Sequence, residues 1–164
     1  MDTTKLLAQC NIEVTPNVIQ MITGLDQTSI KVGQLMAKTQ MLKDISNPTI
    51  VKIEYTEGLD GECYLLVDDK TRNKLVAAMM GMPSLNGVDI GVDIIESALC
   101  ELMNQLSGSI ICKVSELADA TFDISPPTII SLSVFLEQQH DMLVNIFHNP
   151  EYNISLKLIN NIKY

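Results

Sequence analysis

The stretch from about Asp93 to Leu117 constrains the fold of this chain more than any other. Ile95, Leu99, Leu102, Met103, Leu106 and Ile110 recur at the three-and-four spacing of a helix with one buried side. Ser97, Glu101, Asn104 and Gly108 are spaced by four, three and four residues. At about 100° per residue they fall within roughly 60° of one another, opposite the apolar side. Asp93 and Glu96 follow capping-box logic, so Asp93 is expected to cap the helix. Any fold built on this element must cover a long apolar stripe and leave a narrow polar one open.

The polar stripe is unusual for a face that only meets solvent, since such faces are usually rich in lysine and glutamate. Asparagine is a mediocre helix former, and its amide offers two donors and an acceptor. It can orient a water molecule, but it is neither a nucleophile nor a strong base. A carboxylate at Glu101 can pair with a cation brought by a partner. Glycine at 108 lets another backbone come close. From the residues alone, a merely solvated face stays open as the alternative.

Around this helix the chain reads as α+β with mostly antiparallel pairing. Thr49 to Tyr55 alternates as a strand, Gly58 to Gly61 turns, and Cys63 to Val67 returns as a hairpin. Asp68 or Asp69 can cap a helix running through Lys74 to Met80, which Gly81 and Pro83 end. Ser84 to Gly91 is a loop. Thr128–Phe135, Met142–Phe147 and Asn153–Leu158 read as strands. Ser29 to Met41 is the least regular stretch and is expected as a short helix. An internal repeat is also visible. Leu7-Ala8 and Ile12-Glu13-Val14-Thr15-Pro16 match Leu117-Ala118 and Phe122-Asp123-Ile124-Ser125-Pro126 at an offset of 110 residues. Each copy reads as a helix end, a turn, a strand and a terminating proline, which predicts a pseudo-twofold arrangement.

Composition narrows the function. With 164 residues the chain suits one domain, 1–164, with a single core. A net charge of −9 without a basic run argues against nucleic acid and anionic membrane surfaces as partners. No apolar run is long enough for a membrane span, and no secretion signal opens the chain. Cys10, Cys63, Cys100 and Cys112 contain no C-x-x-C pair, so the expectation is reduced, mostly buried thiols in a cytoplasmic protein. His140 and His148 lie eight apart without a third ligand, so no metal site is expected.

The segment Ser97-Ala98-Leu99-Cys100-Glu101-Leu102-Met103-Asn104-Gln105-Leu106-Ser107-Gly108-Ser109 resembles the signature helix of the CheC/CheX/FliY family. That motif is Asp or Ser, three residues, Glu, two residues, Asn, followed by small residues and a strand ending in Ser/Thr-Pro. Asp123-Ile124-Ser125-Pro126-Pro127 supplies the last part. Val51 to Gly61 and Met79-Met80-Gly81 resemble FliY-type members in particular. The resemblance implies a CheC-like pseudo-twofold domain, an antiparallel sheet with long packed helices. It implies a phosphatase, a hydrolase acting on the aspartyl phosphate of a CheY-like response regulator in bacterial chemotaxis. Asn104 would hold the attacking water, and Glu101 would pair with the regulator's active-site lysine. Ser97 and Gly108 would complete the partner-binding face. The chain would need no cofactor of its own, because the magnesium belongs to the regulator. CheD-like or flagellar switch proteins are further partners that the family implies, with a location at the flagellar basal body.

Family members of the CheC and FliY kind carry two such helices, and CheX-like members carry one. At the offset of 110, equivalents of Glu101 and Asn104 would precede Met1. A first-half helix truncated at the N-terminus is therefore expected, with one surviving site. A shortened helix can also leave apolar surface for a second copy, as a homodimer. The alternative to an enzyme is a flagellar-switch or chemotaxis adaptor that uses the same fold to bind without turnover.

Overall fold

The computed structural model describes residues 2–25, 29–36, 38–43, 45–137 and 142–163, with the side chains of 29–39 left aside. Helix α1 (Thr3–Thr23) opens the chain. Asp2 caps it by accepting from the Thr4 N–H at 3.1 Å. Gly24 ends it in the left-handed region at φ 74°, donating to the Gln20 carbonyl at 2.8 Å. Strand β1 (Ser29–Met36) and a four-residue helix α2 (Lys38–Met41) follow. The hairpin β2 (Thr49–Glu57) and β3 (Gly61–Val67) leads into α3 (Asp69–Met79). Then come the long helix α4 (Val92–Ala118), the short strands β4 (Asp123–Ile124) and β5 (Thr128–Ile130), and α5 (Leu132–Leu136). A second hairpin, β6 (Met142–Asn149) and β7 (Ile154–Ile162), closes the described chain.

Among the described residues the strands form one seven-stranded sheet in the order β1-β6-β7-β3-β2-β4, with β5 also pairing β2, and every pairing is antiparallel. The order is symmetric about the β7–β3 pair. The first strand of each half lies beside the hairpin of the other half, β1 against β6 and β4/β5 against β2. From Ser29 to Asp123 is 94 residues, and from Thr49 to Met142 and from Gly61 to Ile154 are 93. The pseudo-twofold arrangement therefore exists, but not at the offset of 110.

Residues 12–16 are not a strand. They lie inside α1, with Pro16 buried within the helix. Pro16 forgoes a backbone hydrogen bond there, a cost that burying its ring and its apolar neighbours offsets. The first-half helix is 21 residues long, with Asp2 as its N-cap and Gly24 as its C-cap.

Three further expectations change. Ser29–Met36 is an edge strand, held by pairing with β6 over a register shift between Lys31 and Gln34. The expected strand Thr128–Phe135 stops at Ile130, because Ser131 accepts from the Val134 N–H at 3.3 Å and starts α5. Helix α4 is capped by Gly91 without a side-chain bond, so Asp93 sits in the first turn, where its charge favours the helix dipole.

The core lies on both faces of the sheet. Val51, Ile53 and Tyr55 of β2, Cys63, Leu65 and Val67 of β3, and Leu156 and Leu158 of β7 face α1 and α4. Ile50, Tyr64, Leu66, Val144 and Ile159 face the other way, against Met41 of α2 and Phe135 of α5. Tyr64 and Phe135 meet edge to face at 5.1 Å. β3 is consequently buried at every residue and reads as a nearly continuous apolar run. The hairpin turn needs its glycines: Gly58 (φ 85°) and Gly61 (φ 146°) hold conformations that other residues rarely adopt, and a side-chain carbon would strike Phe122 and the Asn161 backbone.

Candidate functional site

Helix α4 is anchored by its apolar side. Leu99, Leu102, Met103 and Leu106 are each 0% exposed, Ile110 is 3%, and Ile95 packs partly buried against them. This fixes the rotation of the helix. Ser97, Glu101 and Asn104 are exposed on the opposite side, and Gly108 is half-buried between flanking turns. The expected stripe is therefore one continuous face.

Two features shape that face. Gln105 donates from Nε2 to Glu101 Oε1 at 3.0 Å, one turn along the helix. Among the described residues none hydrogen-bonds the Asn104 side chain, which leaves its amide free to hold a small molecule. An open groove of about 480 Å³ runs from Asn104 past Gly108 to Cys112 and Glu116. A side-chain carbon at Gly108 would meet nothing within 4 Å, so the glycine keeps the groove open toward the outside.

The sequence reading missed Gln105, Cys112 and Lys113, which share this groove. Cys112 follows Gly108 by one further helical step of four, and that spacing was available as a signal. Lys113 is drawn toward α1 by Glu13, at 3.7 Å. Ser107 belongs elsewhere: it is buried, and its hydroxyl donates to the Met103 carbonyl at 2.6 Å.

The four thiols differ in exposure. Cys10 and Cys63 are buried, Cys100 is partly buried and Cys112 is exposed, so the expectation of mostly buried thiols holds for two of the four. Burial, then the Glu96 carboxylate, push the Cys100 thiol up. Burial, then Glu13, push up Cys10, against the opposing pull of Lys113. Among the described residues no group of three His, Cys, Asp or Glu side chains is placed to hold a metal ion. His148 lies in β6 opposite Ser155, and His140 lies outside the described residues. Among the described residues no helix is long and apolar enough to cross a membrane.

Helix α1 shows what became of the matching first-half position. Its buried residues Leu6, Leu7, Cys10, Asn11 and Val18 repeat the rhythm of Leu102, Met103, Leu106, Ser107 and Val114 in α4. In that alignment Lys5 stands in the place of Glu101 and Ala8 in the place of Asn104. Neither a carboxylate nor an amide stands at those two places.

The comparisons with known proteins agree with this architecture. The model of the CheC-like family matches residues 94–131, from the first turn of α4 to the cap of α5. The chain is 28% identical over 119 residues to the CheY-P phosphatase CheX of Thermotoga maritima, covering 63% of this chain and 74% of that protein. It is 30% identical over 119 residues to the flagellar motor switch phosphatase FliY of Bacillus subtilis, covering 69% of this chain but only 28% of that longer protein. In fold it resembles the crystal structure of Thermotoga maritima FliY, with a TM-score of 0.70 at 22% identity over 96% of this chain and 89% of that one. It also resembles the CheX–CheY–BeF3–Mg complex of Borrelia burgdorferi, with a TM-score of 0.72 at 14% identity over 95% of this chain and 97% of that one. Over residues 94–131 the chain matches the CheC-like family, and the named relatives and the fold it resembles are those of CheX and FliY proteins.

Proposed function

We propose that this protein is a phosphatase for the aspartyl phosphate of a CheY-like response regulator, working through a single site on α4. The observation that carries the reading is the pairing of an exposed Glu101 and an exposed Asn104 on one face of a helix whose other face is anchored by the buried Leu99, Leu102, Met103 and Leu106. Hydrolysis of an acyl phosphate asks little covalent chemistry of a protein. It asks for a water held in line and for charge placed where the transition state needs it. The Asn104 amide can accept from a water and direct its lone pair. The Glu101 carboxylate, steadied by Gln105, can pair with a cationic group of the regulator. Ser97 lies one turn before Glu101, and the open space at Gly108 admits the regulator's backbone. A magnesium ion would reside on the regulator.

Relatives named as a CheY-P phosphatase and a motor switch phosphatase support the reading, as does the likeness to a CheX in complex with CheY. The Lys5 and Ala8 pair in α1 argues for one site per chain.

The test is phosphate release from a phosphorylated CheY-like regulator, with the unmutated protein and with Asn104→Ala. Acceleration that disappears in the variant is the expected result. Binding without acceleration by the unmutated protein would make the chain a docking module instead.

A further inference from the structure

Asn11 is out of place in the layer between the helices and the sheet. It is 1% exposed on α1, and among the described residues its Nδ2 has no hydrogen-bond partner. A buried amide left unpaired costs free energy, and native structures rarely tolerate it. The same residue lines a cavity of about 10 Å³. That volume admits one water molecule and nothing larger.

The other polar walls of the cavity are Tyr55 of β2, Cys63 of β3 and Ser107 of α4. Their hydrogen bonds elsewhere decide what they still offer. The Ser107 hydroxyl already donates to Met103, at 2.6 Å. The Tyr55 hydroxyl already donates to Asn160 Oδ1, at 2.6 Å. Both oxygens therefore retain lone pairs and no free proton. Asn11 has the reverse surplus, a donor without an acceptor. A water accepts from one group and donates to two, so it is the small molecule whose capacity fits this set.

We propose that the cavity is a specific site for one ordered water, which accepts from Asn11 Nδ2 and donates to Ser107 Oγ and Tyr55 Oη. Asn11 and Ser107 hold equivalent places in α1 and α4, so the water sits at the seam between the two halves of the fold. It ties both helices to the sheet directly behind the turn of α4 that carries Asn104.

The experiment is NMR on the unmutated protein. The Asn11 side-chain amide protons should show a water cross-peak of the sign given by a long-lived, buried molecule. Magnetic relaxation dispersion should count one fewer long-lived water in Asn11→Leu than in the unmutated protein. Resolved Asn11 amide protons with no such cross-peak would overturn the proposal, as would an unchanged count in a folded Asn11→Leu. If Asn11→Leu fails to fold, Ser107→Ala serves, because it removes one acceptor. A water residence time shortened several-fold is then expected, and an unchanged one would overturn the assignment.

Discussion

Gln105 donates its side-chain N–H to the Glu101 carboxylate at 3.0 Å, so the acid on the polar face of α4 is held by the next turn of its own helix. Such pairs are worth about 0.2–0.5 kcal/mol on a helix surface. Gln105→Ala should therefore raise the KM for the phosphorylated regulator by about twofold and leave kcat nearly unchanged. Steady-state phosphate release at several regulator concentrations checks this. A fall in kcat instead would place Gln105 in contact with the reacting groups.

Glu101→Gln removes the charge while keeping shape and hydrogen-bonding reach. Regulator binding, measured by titration calorimetry, should weaken, and more so at low salt, because a charge-assisted pair is lost. Unchanged binding with lost turnover would give Glu101 a purely catalytic role.

Asn104 and Leu102 are two residues apart but lie on opposite sides of α4. Asn104→Ala should abolish turnover and change unfolding free energy by no more than about 0.5 kcal/mol, as expected for an exposed position. Leu102→Ala should cost about 2–5 kcal/mol of stability, because Leu102 is fully buried. Urea unfolding of the two variants side by side tests the helix orientation. A neutral Leu102→Ala would mean that the helix is rotated from the one described.

Alkaline pH should weaken the fold through β3. Burial pushes the Cys63 thiol from its ordinary 9.0 up to about 12, and its interactions with the Tyr55 hydroxyl and the Tyr64 backbone only partly oppose this. Burial, then Cys63, likewise push the Tyr55 hydroxyl well above its usual value. The folded state thus keeps protons that the unfolded chain releases. The stabilisation is complete below pH about 9 and is lost as pH rises toward 12, by about 1.4 kcal/mol per pH unit for one such group. Urea unfolding between pH 8 and pH 10.5 should show this fall, and Cys63→Ala should flatten it. The same slope in Cys63→Ala would assign the effect to other groups.

The features legible in the sequence are those whose signal is local. The apolar spacing from Ile95 to Ile110 determined which side of α4 is buried, and with it the exposure of Ser97, Glu101 and Asn104. The alternation in Thr49–Tyr55, the turn at Gly58–Gly61 and the aspartate before α3 placed the hairpin and the Asp68 cap, which accepts from the Thr71 N–H at 2.7 Å. The errors share one cause. Pro16 reads as a terminator in isolation, yet α1 carries it because burial against α4 and the sheet outweighs one lost backbone bond. Ser29–Met36 has too irregular a pattern to be called a strand, and its pairing with β6 supplies what the pattern lacks.

Periodicity along a helix or a strand depends on neighbours within a turn or two, so the sequence by itself determined the polar face of α4 and the first hairpin. The exchange of first strands between the two halves, the standing of Lys5 and Ala8 at the places that Glu101 and Asn104 hold in α4, and the lining of one cavity by Asn11 and Ser107 were decided only by the tertiary structure. Those relationships join residues tens of positions apart, and they become favourable only once the sheet and both helices are assembled.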